Sequence, residues 1–302
     1  MAENEQKPRS KDKNSLGAVA KSLISGAIAG AVAKTTIAPL DRTKINFQVS
    51  STRGYSFKSA FKFIRLTYQQ QGFWALYRGN AATMARVMPY AAVQFASFEQ
   101  YRRVLHVDTS KDTRTPYRRL LVGSLAASTA TLITYPLDTA KALMSISTKK
   151  EYGSLAEVFV KTYQKGGVKL LYRGIYPTLL GVVPYAGTSF FTYETLKLIY
   201  KDSTGKEHVS APYRMLFGAL AGLFGQSFSY PLDIVRRRMQ TGRVPPGQGP
   251  MKTLYLVWKN EGLKRGVYKG LSMNWIKGPI SVGASFTTYE GVREFLHTMH
   301  LD

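Results

Sequence analysis

Acidic and basic residues stand three apart at two recurring places, and this spacing is the first chemical pattern in the chain. One place is the sextet Pro-Leu-Asp-x-x-Lys/Arg, and the other is a Phe/Tyr-Glu-x-x-Lys/Arg segment. Residues three apart lie on one face of a helix, so each acid can pair with a base. The first set comprises Asp41 and Lys44, Asp138 and Lys141, and Asp233 and Arg236; the second comprises Glu99 and Arg102, Glu194 and Lys197, and Glu290 and Arg293.

Three further bases stand in stretches that otherwise contain no charge. They are Lys34 in 22–40, Arg86 in 80–98 and Lys277 in 271–289. A charge deep in a membrane is costly and by default indicates a binding site or a pathway. For Lys34, which is nearer a helix end, the alternative is a side chain that snorkels to the interface. Three cations without paired carboxylates predict a pocket for an anion with several charges, most plausibly phosphates.

Arg86 and Lys277 each stand seven residues after a glycine that follows an aromatic residue and a base. At the same distance after a third such glycine, the chain has Gly181. Together with Val182, this glycine leaves room for a flat ring to lie against the backbone, and Tyr185 is expected to line the same wall.

The lengths of the charge-poor stretches predict how these residues are positioned. Besides the three stretches above, residues 120–137, 175–193 and 215–232 contain no charged residue. Each stretch has about the length that crosses a hydrocarbon core, and its Gly, Ala, Ser and Thr content suits close helix packing in lipid. The sequence therefore predicts six membrane-spanning helices joined by basic loops.

The sextets start 97 and 95 residues apart, which indicates an internal triplication. We interpret residues 1–19 as a disordered tail, and 20–110, 114–205 and 210–300 as three repeats of one integrated domain. The sextet prolines, Pro39, Pro136 and Pro231, are expected to kink their helices. Small residues at four-residue spacing, such as Gly218 and Gly222, are expected to lie where backbones approach.

The triplication bears on how the acids and bases pair. Pairing within one helix is the simple alternative, and on a surface it is worth little. Three repeats around a pseudo-threefold axis would instead let the acid of one helix meet the base of the next and close a ring. Because the pattern occurs in triplicate at both ends, we favour the ring.

Together with the aromatic-Lys/Arg-Gly motifs that end at Gly79, Gly174 and Gly270, these motifs resemble those of the mitochondrial carrier family over nearly all of residues 20–298. The resemblance implies an all-α membrane protein with six transmembrane helices in three pseudo-threefold repeats and three short amphipathic helices on the matrix side. The family's acid-glycine pair remains as Glu261-Gly262. It is replaced by Gln71-Gly72 and, in our interpretation, by Lys165-Gly166.

The resemblance also implies partners for the charged residues and alternating access between two gates. On the matrix side, Asp41 would pair with Lys141, Asp138 with Arg236, and Asp233 with Lys44. Gln48 and Gln240 resemble the glutamines that brace this matrix ring, and Ser145 stands in their place in the second repeat. On the cytoplasmic side, Glu99 would pair with Lys197, Glu194 with Arg293, and Glu290 with Arg102.

The substrate is expected where the repeats differ. An arginine, a glycine followed by an aliphatic residue, and a base at the three mid-membrane positions resemble carriers of adenine nucleotides and coenzyme A. Segments 86–95, 226–242 and 268–290 are most similar to coenzyme A carriers. This implies an antiporter that imports coenzyme A in exchange for ADP or adenosine 3′,5′-bisphosphate. The alternative is an adenine-nucleotide carrier, of the ADP/ATP or ATP-Mg/phosphate type, that does not use coenzyme A.

Other classes of protein fit the sequence less well. A net charge of +24 suits a nucleic-acid binder, but such a protein does not need six charge-poor spans. The chain contains no cysteine, phosphate loop or nucleophile elbow, which disfavours an enzyme. A carrier-like scaffold without transport would not need both sets of pairs. We expect an inner mitochondrial membrane protein without cofactor or metal, functional as a monomer, with cardiolipin as a lipid partner.

Overall fold

The structure is a computed structural model and describes residues 25–52, 54–107, 116–205 and 208–298. The expected tail, residues 1–19, lies outside these ranges. The regular secondary structure of the described residues is helical throughout, which confirms the all-α prediction. The helices are α1 (25–36), α2 (Ala38–Val49), α3 (Phe57–Gln71), α4 (Asn80–Val104), α5 (Pro116–Ile146), α6 (Leu155–Leu171), α7 (Ile175–Thr204), α8 (Ala211–Gln240), α9 (Pro250–Gly262) and α10 (Leu271–Thr298), with short 3₁₀ and π segments at Phe73–Tyr77 and Leu263–Val267.

Contacts divide the described chain into two units. The first contains residues 25–38 and 276–298, which are α1 and most of α10. This unit buries Ala29 and Ala33 of α1, whose four-residue spacing places them on one helix face, and Ile37, which directly follows α1. The second unit contains residues 39–275, and within it α4 packs on α5 and α7 packs on α8.

Three small apolar cores in the second unit attach the shorter helices to the sextet ends of the long ones. Each core joins a helix that carries a sextet (α2, α5 or α8) to the short helix that follows it (α3, α6 or α9). Burial of such side chains stabilises by roughly 1.5–3 kcal/mol each. The buried residues are Phe47, Ala60 and Met273; Ala140, Met144, Tyr152 and Val158; and Tyr230, Ile234, Val257 and Val267.

The sextet prolines lie in helical segments in all three repeats. Pro136 and Pro231 are inside α5 and α8. In the first repeat the helical run is interrupted at Ile37, two residues before Pro39, because proline cannot donate to the helix.

The linker glycines show that one position was assigned wrongly from the sequence. Gly72, Gly167 and Gly262 all have φ between 62° and 82° with an extended ψ, so they are the equivalent residues. The residue in the acid position of the second repeat is therefore Gly166, and the prediction of Lys165-Gly166 is off by one. Two adjacent glycines hide this register, because only the backbone shows which one has positive φ.

One helix of the described residues, Tyr117–Ile146, is apolar and long enough by composition to cross a membrane. The sequence predicts six spans.

The closest helix approach in the second unit occurs at a glycine that the spacing argument did not select. No atom of the described structure lies within 4 Å of a Cβ built at Gly218 or Gly222. A Cβ at Gly225 would lie 2.8 Å from the Tyr185 carbonyl oxygen and would overlap the Ser189 side chain. The close approach of α8 to α7 is therefore at Gly225.

We expect Gly225→Ala to lower the unfolding temperature, because its methyl group meets backbone that cannot move aside without separating the helices. The cost should be about 1–3 kcal/mol. Intrinsic fluorescence during heating of the detergent-solubilised protein measures it. Gly222→Ala is the matched control in the same helix, and an equal loss in both variants would contradict the assignment of the contact.

Candidate functional site

The first set of acids and bases forms three ion pairs between helices, all within the second unit. Each pair joins two of the helices α2, α5 and α8, so the pairs form a closed cycle, which we name the first ring. Its members are the pairs that the family resemblance implies. They are Asp41–Lys141 at 2.7 Å, Asp138–Arg236 at 2.5 Å and Asp233–Lys44 at 3.0 Å, measured between nitrogen and carboxylate oxygen.

Two glutamines brace two of the three pairs. Gln48 donates to Asp233 at 2.9 Å, and Gln240 donates to Asp138 at 2.7 Å. Each glutamine stands four residues after the base of the pair that it supports. In the equivalent position of the second repeat, Ser145 donates to the Lys141 carbonyl of its own helix. The Asp41–Lys141 pair therefore has no glutamine brace at this position.

The Asp138 carboxylate is the most crowded group of the first ring. Its Oδ2 accepts from Arg236, Arg237 and Gln240, and its Oδ1 accepts from Arg86 at 3.1 Å. Its side chain is only 2% exposed. Three guanidinium groups around one carboxylate leave a local surplus of positive charge, and buried charge of this kind is costly unless it is compensated.

Arg86 is held between this carboxylate and the rest of α4. Its Nε donates to the Thr134 hydroxyl at 3.2 Å, and its guanidinium lies over the Tyr90 ring at 5.0 Å. The sequence argument expected Arg86 to have no paired carboxylate, and the structure corrects this. The partner lies on the neighbouring helix, 52 residues away in sequence, beyond the reach of a search along one helix.

The other predicted substrate residues lie in two different units. Gly181, Val182 and Tyr185 are on α7 of the second unit, and Tyr185 is 44% exposed. A Cβ at Gly181 would lie 3.7 Å from the side chain of Leu232 on α8, so this face of the glycine packs against α8. In the first unit, Lys34 is exposed on α1 and Lys277 is half-buried on α10.

Two acids of the second set, Glu99 and Glu194, pair with bases of their own helices in this structure. Glu99 pairs with Arg102 at 3.0 Å and with Arg103 at 3.3 Å. Glu194 pairs with Lys197 at 3.3 Å. No ion pair in the described ranges joins Glu99 to Lys197. The pairing between helices at this end, which includes Glu194 with Arg293 and Glu290 with Arg102, stays a prediction for another conformation.

The bases of the aromatic-base-glycine motifs tie each repeat to the loop of the next one. Arg78 donates to the Tyr152 carbonyl at 2.7 Å, Arg173 to the Val244 carbonyl, and Lys269 to the Ser50 carbonyl at 2.5 Å. Burial lowers the pKa of Arg78 and of Lys269. The sequence argument did not predict that these bases bind loop carbonyls, although it did identify the base in all three motifs.

Arg237 is a second residue that the sequence argument did not assign. It donates both to Asp138 and to Gln240, and its Nε lies 3.9 Å from Asp233. The only feature of the sequence that could have indicated this role is the place of Arg237 in a run of three arginines, Arg236 to Arg238. The sequence does not show which of them turns towards the ring.

We expect Ser145→Gln to raise the unfolding temperature, because the new amide would reach Asp41 as Gln48 reaches Asp233. The gain should be about 0.5–1.5 kcal/mol, the net value of one hydrogen bond. Gln240 is accommodated beside Gly174, so a glutamine beside Gly79 should also fit. Ser145→Ala is the control, and a Ser145→Gln protein no more stable than the control would contradict the brace.

Comparisons with known proteins agree with the fold. The sequence model of the family described as mitochondrial carrier protein matches residues 17–109, 112–204 and 207–300. The mitochondrial coenzyme A transporter SLC25A42 of Danio rerio is 51% identical, with 100% of this chain and 96% of the relative covered. The transporter of the same name in Homo sapiens is 52% identical, with 90% and 86% covered. Solute carrier family 25 member 16 of Mus musculus is 38% identical, with 92% and 88% covered.

Three matched repeats cover nearly the whole chain, and relatives above 50% identity align along it. The resemblance predicted from the motifs is thereby confirmed. The chain belongs to the mitochondrial carrier family, and it is a multi-pass transport protein of the inner mitochondrial membrane and not an enzyme.

Proposed function

We propose that this carrier imports coenzyme A into the matrix in exchange for an adenine nucleotide, such as ADP or adenosine 3′,5′-bisphosphate. Relatives at 51–54% identity are named mitochondrial coenzyme A transporters, which supports the choice of cargo. Coenzyme A carries a 3′-phosphate and a diphosphate. Guanidinium groups recognise such oxyanions in bidentate geometry, as a site for this cargo requires.

The surplus of positive charge around Asp138 is the observation that carries the proposal. Arg86, Arg236 and Arg237 share one carboxylate, so an arriving phosphate finds guanidinium groups that are not fully neutralised. The Arg86 side chain is 26% exposed and Asp138 only 2%, so Arg86 is the member that a solute can reach.

In this mechanism the phosphate competes with Asp138 for Arg86. A phosphate that takes the guanidinium removes one of the contacts that join α4 to α5. Asp138 keeps Arg236, Arg237 and Gln240, so the first ring is weakened but not dismantled. A ligand shifts a conformational equilibrium only through its different affinity for the two states. The exchange of Asp138 for phosphate at Arg86 provides that difference.

The second set of charged residues completes the cycle. The carboxylates of Glu99 and Glu194 are held by bases one turn away in their own helices, by contacts that are worth little in water. When the first ring opens on the matrix side, we propose that Glu99 exchanges Arg102 for Lys197, Glu194 exchanges Lys197 for Arg293, and Glu290 pairs with Arg102. Modest ion pairs at both ends suit a carrier that must form and break each in turn.

The remaining predicted residues are proposed to select the cargo. Lys34 and Lys277 would contact further phosphate oxygens, and Gly181, Val182 and Tyr185 would lie against the adenine. An adenine-nucleotide carrier that does not use coenzyme A is the second candidate, because the cluster at Asp138 suits any polyphosphate.

Uptake of labelled coenzyme A into liposomes containing the purified carrier tests the cargo. We expect uptake when the liposomes are preloaded with ADP or adenosine 3′,5′-bisphosphate, and little uptake into empty liposomes. Rapid ADP/ATP exchange with no coenzyme A uptake would contradict the proposal in favour of the second candidate.

The role of Arg86 is tested by Arg86→Ala in the same assay. We expect coenzyme A uptake to fall by roughly 30-fold or more, since losing one partner of a buried charge pair costs about 2–5 kcal/mol. Lys277→Ala should reduce uptake as well. Arg65→Ala, an exposed arginine on α3, is the control that should transport like the wild type. Full activity in a folded Arg86→Ala protein would remove this residue from the site.

A further inference from the structure

Among the described residues, a buried cation of the first repeat, Arg42, has only neutral hydrogen-bond partners. Arg42 is 3% exposed and lies one residue after the acid of the first sextet. Its guanidinium donates to the carbonyls of Ser145 and Ala75 and to the side-chain oxygen of Gln71. These bonds use three of its five N–H groups. A buried charge is normally balanced by an opposite charge, and the acceptors around Arg42 are all neutral, so a negative charge is lacking beside this guanidinium.

In the third repeat, a buried arginine beside the linker has a carboxylate partner. The linker position of this repeat is Glu261, directly before the linker glycine, as Gln71 is directly before Gly72. Glu261 accepts from both terminal nitrogens of the buried Arg238, at 2.5 and 2.7 Å. The first repeat has a buried arginine beside its linker but has an amide where the third repeat has a carboxylate. One negative charge is missing.

A cavity adjoins the unbalanced arginine. It has a volume of about 550 Å³ and lies between α2, α3 and the carboxyl end of α5. Its lining includes the cations Arg42 and Lys62 and the polar side chains of Asn46, Ser59 and Gln70. Among the described residues that line it there is no acid. This volume is within the range of small-molecule sites. We name it the linker pocket.

We propose that the linker pocket binds an anion that carries a phosphate group, and that the anion supplies the charge that Gln71 lacks. None of the residues assigned to the cargo lines the pocket, so this site is separate from the transport site. Guanidinium and ammonium groups with hydroxyl and amide donors around them are the chemistry that holds phosphate.

The linker pocket adjoins the contact between α2 and α5, so an anion bound there would affect this contact. Arg42 and Asn46 of α2 both donate to the Ser145 carbonyl of α5, at 3.1 and 2.8 Å. The same two helices are joined by the Asp41–Lys141 pair, which has no glutamine brace. An anion in the pocket would fix Arg42 and so stabilise the α2–α5 contact, which favours the closed first ring.

The test uses the purified full chain in a neutral detergent and inorganic phosphate as the probe. Unfolding temperature and isothermal titration calorimetry are recorded against phosphate, with chloride at equal ionic strength as the reference. We expect saturable binding and a rise in unfolding temperature. Gln71→Glu should raise the unfolding temperature without phosphate and weaken phosphate binding about tenfold or more, because the new carboxylate neutralises Arg42 and repels the anion.

Gln69→Glu is the matched control, since it adds the same charge to the same helix but does not line the pocket. It should bind phosphate like the wild type. Equal affinities of Gln71→Glu and Gln69→Glu, or no saturable binding to the wild type by either phosphate or lipid, would overturn the proposal. So would a phosphate response that is lost in Arg86→Gln and kept in Gln71→Glu, because the anion would then be at Asp138.

Two sources of the phosphate group are distinguished by a second titration. Short-chain phosphatidylglycerol replaces inorganic phosphate, with phosphatidylcholine as the reference. Binding of phosphatidylglycerol that Gln71→Glu removes identifies a lipid headgroup as the occupant. Binding of inorganic phosphate alone identifies a free anion. Either result supports the pocket.

Discussion

A buried carboxylate shared by three guanidinium groups joins the helices α4, α5 and α8 of this carrier. Asp138 is 2% exposed and joins α5 to α8 through Arg236 and Arg237, and to α4 through Arg86. Leaving a buried charge without a partner is strongly destabilising, so each contact depends on the others. The surplus of positive charge makes the cluster receptive to an anion, as the proposed competition between the cargo and Asp138 requires.

The three repeats share the ion pairs of the first ring and the motif bases, and they differ in the glutamine braces and in the linker residues. All three have a sextet pair in the first ring and a motif base that reaches the next repeat. The braces are unequal, because Gln48 and Gln240 support two pairs and Ser145 supports none between helices. The linkers are unequal as well, since Glu261 neutralises its arginine and Gln71 does not. Both differences lie at the contact between α2 and α5.

The shared features could be predicted from the sequence, and the reason is their repetition. Three copies of one spacing place an acid and a base at the end of each long helix, and the cyclic pairing of Asp41, Asp138 and Asp233 follows from the resemblance. The contacts that break the symmetry could not be predicted. Arg86 meets an acid 52 residues away, Arg237 is one of three adjacent arginines, and the close approach at Gly225 depends on the crossing of two helices. Gly166 and Gly167 can be told apart only by backbone angles.

A double-mutant cycle on Arg86 and Asp138 measures most directly whether cargo competes for this contact. The unfolding free energies of wild type, Arg86→Gln, Asp138→Asn and the double variant are compared without and with saturating coenzyme A. Residues in contact show interaction energies of about 0.5–3 kcal/mol. We predict such a coupling in the empty carrier and a much smaller one with coenzyme A bound, because the phosphate has then taken Arg86. A coupling that coenzyme A leaves unchanged would contradict competition between cargo and gate.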